Sequence, residues 1–240
     1  MPRGVLIFAF VVGILLSAQA QDATPIKYVG EPLLPILEVL NKTNLSGSLV
    51  FSGRCPLGYT PDFPPFRTLG TSWNSPLQSL GELVPDHPTM QVTQDKSQVI
   101  RMIELGVPTD ILHLRISHIA FDGSGTPWNG AVYQPGYAMM TILRTPEVVA
   151  FMRAHDIKSA FNGTGGGVTG NPMGKWPPEH PHISGSLDNV TVAEALDHVL
   201  KAFPGIWVYE NCPANGTNGR DVYFGFFYLQ HWGSEPVVVQ

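Results

Sequence analysis

The strongest periodic pattern of apolar residues lies toward the C-terminal end of the chain. Val192, Leu196, Val199, Leu200 and Phe203 recur at helical spacing and form one apolar stripe. The proline that follows is expected to end the helix, because proline lacks the N–H needed for the helical hydrogen bond. A helix this short is marginal alone, so the pattern predicts that its apolar face packs on a sheet.

A similar pattern occurs earlier in the chain, at a constant offset of 116 residues. The matched positions are Ser75, Gln78, Leu80, Leu83, Val84, Pro88 and Val92 against Thr191, Glu194, Leu196, Val199, Leu200, Pro204 and Val208. Each copy begins with the residue types of a capping box, in which a hydroxyl and a Glu or Gln side chain satisfy two backbone N–H groups. We interpret the match as an internal repeat, with a chance match between two helix–turn–strand units as the alternative.

Extended segments follow both helices. The predicted strands are residues 89–93 and 99–102 in the first copy, and residues 206–209 and 222–228 in the second. Upstream of each helix lies a further echo, LSGSL from Leu45 and ISGSL from Ile183, but at a different offset. The first copy should therefore carry an insertion between strand and helix, for which the Pro- and Gly-rich residues 56–65 are the candidate. Each copy is thus predicted to be a βαββ module.

The segment between the copies has a different character. Residues 111–121 alternate between apolar and polar side chains, with Leu112, Leu114 and Ile116 on one face, which predicts a half-buried strand. A helix is expected to begin after Thr145, because a proline follows this N-cap residue type. A Gly- and Pro-rich stretch then predicts an exposed, mobile loop.

The predicted fold class is α+β, with two small βαββ modules flanking a mixed strand and helix segment that has long Gly- and Pro-rich loops. The predicted organisation is a signal peptide at residues 1–20, a first βαββ module with its insertion at 31–105, a connecting strand and helix segment with the loop at 106–182, and a second βαββ module at 183–232.

The N-terminus has the pattern of a secretory signal. Arg3 precedes an apolar run at residues 5–16, and the small residues that follow predict cleavage after Ala20. Twelve apolar residues fall short of the roughly 20 that a helix needs to cross a bilayer, although an uncleaved anchor is the alternative. We therefore expect an exported protein, either periplasmic or secreted.

Charge narrows the range of partners. Without Arg3 the chain has 13 basic against 19 acidic residues, a net charge near −6. Nucleic acids and anionic membranes both need a basic surface, so neither is an expected partner. No later segment is apolar enough to span, so no stable membrane insertion is expected after signal cleavage.

The two cysteines, Cys55 and Cys212, are expected to form a disulfide, because thiols in an oxidising compartment tend to pair. Such a bond would join the N-terminal and C-terminal parts of the chain. Free thiols are the alternative, since a disulfide requires the two Cα atoms to lie within about 7 Å.

Candidate chemistry is sparse. The sequence offers an acid and two imidazoles for a metal at Glu179, His180 and His182, but a third ligand would have to come from elsewhere in the chain. The surrounding prolines favour a polyproline-like loop instead. The run from Gly163 to Lys175 lacks the spacing and the hydroxyl of a phosphate loop. We assign no catalytic residue, no cofactor and no firm metal site, and we place Asp197 on the solvated side of its helix.

Aromatic residues in the Gly- and Pro-rich segments are candidates for a binding surface. They are Trp128, Tyr133, Tyr137 and Trp176, which show neither helical nor strand periodicity. Aromatic side chains on loops often form recognition surfaces. Equally, they can fill the core beneath long loops.

The second copy, ISGSLDNVTVAEALDHVLKAFPGIWVYENC, resembles the short N-terminal domain shared by secretins and TonB-dependent receptors. The matching residues are Asn189, Val190, Val192, Glu194, Ala195, Leu196, Val199 and Leu200. The resemblance covers about fifty of the 240 residues and implies a small module that makes protein contacts in the periplasm. We therefore expect an exported, non-catalytic interaction module that binds another envelope or secreted protein or a ligand. A secreted hydrolase with its site in the Gly- and Pro-rich loop is the alternative.

Overall fold

The computed structural model describes residues 33–53, 75–83, 88–124, 130–162, 181–213, 219–227, 229–232 and 235–238. The predicted signal peptide lies outside these ranges. None of the described helices is long and apolar enough to cross a membrane.

The described chain contains both helices and strands, which confirms the predicted α+β class. The helices are α1 (Leu34–Thr43), α2 (Pro76–Leu83), α3 (Pro135–Leu143), α4 (Pro146–Ala154) and α5 (Val192–Ala202). The strands are β1 (Ser46–Ser52), β2 (Met90–Gln94), β3 (Val99–Glu104), β4 (Arg115–Ala120), β5 (Ile157–Asn162), β6 (Ser186–Thr191), β7 (Ile206–Pro213), β8 (Arg220–Phe227), β9 (Leu229–Trp232) and β10 (Glu235–Val238).

Six strands form one mixed sheet in the order β2-β3-β1-β7-β8-β5. The hairpins β2–β3 and β7–β8 are antiparallel, whereas β3, β1 and β7 run parallel to one another and β5 runs parallel to β8. Two further antiparallel pairs, β4–β6 and β9–β10, are separate from this sheet. Strands from both predicted modules and from the connecting segment thus share a single sheet.

Helices cover both faces of the six-stranded sheet. Side chains alternate along β7: Ile206 and Val208 pack with α1 and α2 on one face, and Trp207 and Tyr209 pack with α3 and α5 on the other. We call these faces the α1/α2 face and the α3/α5 face. Because both faces are covered, the two central strands contain apolar residues at consecutive positions, LVF in β1 and IWVY in β7, rather than at alternate ones.

The predicted helix starts are confirmed. Thr191 Oγ1 accepts a hydrogen bond from the Glu194 N–H at 3.1 Å, and Glu194 Oε2 accepts one from the Thr191 N–H at 2.7 Å. Ser75 Oγ accepts from the N–H of Gln78 at 3.2 Å, and α4 begins directly after Thr145. These contacts are local, so the residue types alone predicted them.

The strand predicted at residues 111–121 is wrong in its first part. Asp110–His113 forms a short 3-10 helix, and β4 begins only at Arg115. Ile111 and Leu112 are adjacent in sequence and both buried, at 0% and 4% exposure. Successive side chains of a strand point to opposite faces, so a helical turn is what allows both to enter the same core.

The predicted equivalence of LSGSL and ISGSL is also wrong. The first segment leads into β1, which lies beside β3 in the main sheet, whereas the second leads into β6, which pairs with β4. Thr191 is both the last residue of β6 and the N-cap of α5, so β6 enters its helix without a connecting loop. The strand that runs parallel to β8, as β1 does to β3, is β5.

The ends of β1 and β7 bear on the predicted disulfide. The N–H of Gly53 donates to the carbonyl of Asn211 at 3.0 Å, and the next residue, Cys212, is 1% exposed. Cys55 lies outside the described residues, two positions after Gly53 in the sequence. The geometry of β1 and β7 is therefore compatible with the bond, which stays a prediction.

We predict that the chain, when produced in an oxidising compartment, contains no free thiol until it is reduced. Thiol titration of the denatured protein should detect no reactive thiol without reductant and both cysteines after reduction. Reduction should lower the free energy of unfolding by about 2–4 kcal/mol, since the bond constrains the unfolded chain. Two reactive thiols in the unreduced protein would show that Cys55 and Cys212 do not pair.

Candidate functional site

A groove of about 630 Å³ opens between the β2–β3 turn and helix α5. It is lined by Asp95, Lys96, Ser97, Arg101, Leu187, Val190, Glu194, Asp197, His198 and Lys201. The first four come from the β2–β3 hairpin and the rest from β6 and α5, so the groove lies where the two predicted modules meet.

Asp95 organises the turn on one side of the groove. Its Oδ1 accepts hydrogen bonds from the N–H groups of Ser97 at 2.9 Å and Val99 at 3.0 Å, and its Oδ2 accepts one from Arg101 Nη2 at 2.6 Å. Burial alone would raise the pKa of Asp95, but the hydrogen bonds from Ser97, Arg101 and Val99 outweigh it and lower the pKa. The carboxylate therefore stays ionised and holds the turn in shape.

Arg101 crosses from the sheet to helix α5. Its Nη1 and Nη2 donate to the two carboxylate oxygens of Asp197 at 2.8 and 2.5 Å, and Asp197 Oδ1 also accepts from Trp207 Nε1 at 2.8 Å. The Arg101 and Asp197 side chains are only 17% and 16% exposed. The solvated position predicted for Asp197 is therefore wrong, because β3 places a guanidinium directly beneath this turn of the helix.

Desolvation of Arg101 favours its neutral form, but the bonds to Asp197 and Asp95 outweigh it and raise its pKa. The guanidinium carbon also lies 5.9 Å from the centre of the Trp207 ring, within the range of a cation–π contact. Arg101 is thus bonded to two carboxylates and faces an aromatic ring. These mutually satisfied groups act as a brace between the two halves of the chain.

In the described part of the chain, His198 is the histidine that lines the groove. Its ring stacks on Phe121, with ring centres 6.4 Å apart. Burial, and to a smaller extent the positive charge of Lys201, lowers its pKa, so the ring is neutral at pH 7. Among the residues the structure describes, no hydroxyl or thiol forms a hydrogen bond to this ring.

A second surface lies at the edge of the six-stranded sheet, where β2 is the terminal strand. The carbonyl of Thr89 accepts from the N–H of Leu105, and the N–H of Asp95 donates to the carbonyl of Val99. Because main-chain groups in an antiparallel pair alternate between facing the partner and facing away, those of Met90, Val92 and Gln94 point away from β3. These groups form an open hydrogen-bonding edge in the described part of the chain.

Several predicted site residues lie outside the described ranges, namely Trp128, Trp176, Glu179 and His180. His182 is described and exposed, and its ring lies 5.2 Å from that of Tyr133. Tyr137 lies in helix α3 and packs against the hydrophobic core, which is the second of the two roles considered for these aromatic residues. The predicted aromatic surface is thus only partly described.

The sequence reasoning missed Arg101 and the β2 edge. One signal was available for the first: Arg101 is a single charge in the otherwise apolar run VIRMI. A buried charge needs a partner, so this position should have been paired with an acid elsewhere. The partner itself depends on long-range packing.

Comparison with protein-family models, curated proteins and solved structures found no match to this chain, so the resemblance to the secretin and TonB short N-terminal domain stays a prediction.

We predict that Arg101→Ala lowers the free energy of unfolding by about 2–3 kcal/mol, because it leaves the mostly buried carboxylate of Asp197 without its partner. Denaturant unfolding of the purified chain measures the change. The control is Lys96→Ala, which removes an exposed cation from the β2–β3 turn and should change the free energy of unfolding by less than about 0.5 kcal/mol. Equal effects of the two substitutions would show that Arg101 is not a brace.

Stability should also depend on His198. Because the fold lowers the pKa of this ring below its usual 6.5, the unfolded state binds more protons as the pH falls through that range. Stability contributed by the neutral ring is therefore present above pH 6.5 and lost between pH 6.5 and the lowered pKa. Unfolding of His198→Gln should show a smaller loss between pH 7 and pH 5 than the unmodified chain. A ring titration by nuclear magnetic resonance at or above pH 6.5 would contradict this.

Proposed function

We propose that the chain is an exported, non-catalytic interaction protein that binds an extended segment of another envelope or secreted protein. The segment adds as a strand to the open edge of β2. The observation that carries the proposal is the row of main-chain groups at Met90, Val92 and Gln94, which point away from β3. Strand addition to such an edge uses main-chain hydrogen bonds for affinity and side-chain positions for specificity.

The composition of β2 supports this use of the edge. Native sheets commonly protect an edge with charged residues, proline or a bulge, since an open edge invites pairing with other chains. The strand MQVTQ contains neither a charge nor a proline, and its pairing with β3 is regular from Met90 to Gln94. On one face Met90 and Val92 are only partly buried against the α1/α2 cluster. An added strand would bury more of both side chains.

The chemistry of the groove also favours binding over hydrolysis. Asp95, Arg101 and Asp197 satisfy one another, and His198 contacts an aromatic ring rather than a nucleophile. Most of the Gly- and Pro-rich loop that would hold a hydrolase site, namely residues 163–180, lies outside the described residues.

We further infer that the chain is built from two copies of one unit, similar to the short N-terminal domain of secretins and TonB-dependent receptors. In each proposed copy a helix leads into a strand, a second helix follows, and an antiparallel hairpin then pairs its last strand in parallel with the first strand. The first copy is α1-β1-α2-β2-β3, and the second is α4-β5-α5-β7-β8. In this alignment β6 belongs to an insertion in the second copy.

Details of the connections support the alignment. Two residues separate α1 from β1 and α4 from β5, and each link contains a residue with positive φ, Asn44 at 54° and Asp156 at 48°. Leu80 and Leu196, which match at the offset of 116, are both fully buried in their helices. The same offset fails in the strands: Val92 and Val208 both pack on the α1/α2 face, although their helices lie on opposite faces. The strands align instead at an offset of 117.

We predict that Val92→Pro weakens partner binding by about tenfold or more, because it removes a main-chain donor from the free edge. Its fold should persist, since this N–H does not bond to β3 and proline is tolerated at outward positions of edge strands. The measurement is capture of partners from an envelope extract with the exported chain as bait, followed by titration of the identified partner.

Two variants control this experiment. Gln91→Ala changes an exposed side chain of β2 but leaves the main chain intact, so it should bind as the unmodified chain does. Thr93→Pro removes an N–H that faces β3, so it should lower stability, which tests the direction assigned to the main-chain groups. Equal capture by Val92→Pro and Gln91→Ala, or small-molecule turnover without any captured protein, would contradict the proposed function.

A further inference from the structure

We propose that the strand fitted to the β2 edge is β5 of a second copy of this chain, so that molecules continue one sheet from head to tail. The inference rests on the proposed function in its use of the β2 edge, and it takes a second molecule of this same chain as the exported protein that supplies the added strand. It derives from a junction that the chain already contains, the parallel pairing of β1 with β7 in the middle of the sheet.

The internal junction joins two kinds of edge. Each proposed copy contributes three strands to the sheet. In the first copy β1 lies at one edge of these three strands, and in the second copy β7 lies at the opposite edge, so β1 and β7 meet in the junction. The equivalents of these strands, β5 and β2, are the two terminal strands of the six-stranded sheet. Within the described residues, each free edge is therefore the counterpart of the other, and the chain shows how such edges join.

The main-chain groups agree with this equivalence. In the junction the N–H of Gly47 donates to the carbonyl of Gly205 at 2.8 Å, and the N–H of Gly53 donates to that of Asn211 at 3.0 Å. Because parallel strands use alternate residues, Trp207, Tyr209 and Asn211 face β1. At the offset of 117 these residues correspond to Met90, Val92 and Gln94, the residues of β2 whose main-chain groups point away from β3.

Strand direction agrees as well. In the internal junction β1 runs parallel to β7, so β5 should run parallel to β2 of the second copy. Within one molecule β5 and β2 already run in the same direction. The second copy therefore has the same orientation as the first. The register of β1 on β7 transfers to the new junction. Ser48 opposite Trp207 becomes Ala160 opposite Met90, and Val50 opposite Tyr209 becomes Asn162 opposite Val92.

The contact is heterologous, because one molecule contributes β5 and the other contributes β2. Such contacts do not close after two copies, so they generate rings or open series. Adjacent strands in a sheet are rotated by roughly 20–25°, so six strands would turn each copy by roughly 120–150° relative to the last. We therefore expect a twisted series of molecules rather than a symmetric dimer.

Complementation between two edge variants tests the inference. Val92→Pro disables the β2 edge and leaves β5 intact, whereas Ser159→Pro disables the outward N–H of β5, the equivalent of Gly47, and leaves β2 intact. Sedimentation velocity of the exported chain should show a series of oligomers that grows with concentration. Each variant alone should be monomeric, and an equimolar mixture should form a dimer and nothing larger.

Three results would overturn the inference: a mixture that stays monomeric, a symmetric dimer that either variant leaves intact, or an unmodified chain that is monomeric at every soluble concentration. Circular dichroism and the unfolding midpoint establish that both variants are folded, and Ser159→Ala and Gln91→Ala should assemble normally as matched controls. If self-assembly fails but Val92→Pro still abolishes capture of a different protein, only the identity of the partner is wrong and the proposed function stands.

Discussion

The parallel pairing of β1 with β7 is the interaction on which the rest of the structure depends. It joins a strand near the start of the described chain to one near its end, and without it each half would leave a central strand edge unpaired. Gly47 lets β1 lie close to helix α1, because a Cβ there would lie 3.2 Å from both the Ile100 carbonyl of β3 and a methyl group of Leu40. Residues with larger side chains would force the strand away from helix α1.

The brace between Arg101 and Asp197 acts on the same junction from the α3/α5 face. Arg101 belongs to β3, Asp197 to α5 and Trp207 to β7, so their contacts cross over β1 and link the outer part of one half to the helix of the other. Ion pairs that are removed from water add little net stability, because desolvation offsets the attraction between the charges. Their geometry is nevertheless specific, and here it fixes how far α5 can slide along the sheet.

Local signals in the sequence predicted the parts of this fold that depend on neighbouring residues. The capping box at Thr191 and Glu194, the N-cap at Ser75 and the start of α4 were all predictable, since each is a contact over three or four residues. Helix α3 was missed because PGYAMMTIL is apolar around most of its circumference and has no polar face to set a period. Strand pairing was not predictable, because it depends on contacts between residues distant in sequence. One example is β6, which pairs with β4 rather than with β8.

The arrangement of layers follows from strand direction. In the proposed alignment the second unit has the strand order of the first, but every strand runs in the opposite direction. Two such units are related by a half-turn about an axis that lies in the sheet and is perpendicular to the strands. That rotation also exchanges the two faces, which is why α1 and α2 cover one face while α4 and α5 pack on the other. In the proposed alignment the matched residues are 116 positions apart in the helices and 117 apart in the strands, which corresponds to one additional residue between helix and hairpin in the second unit. Because a shift of one residue turns every side chain of a strand to the other face, that additional residue is what lets Tyr209 rather than Val208 face α5, as Val92 faces α2.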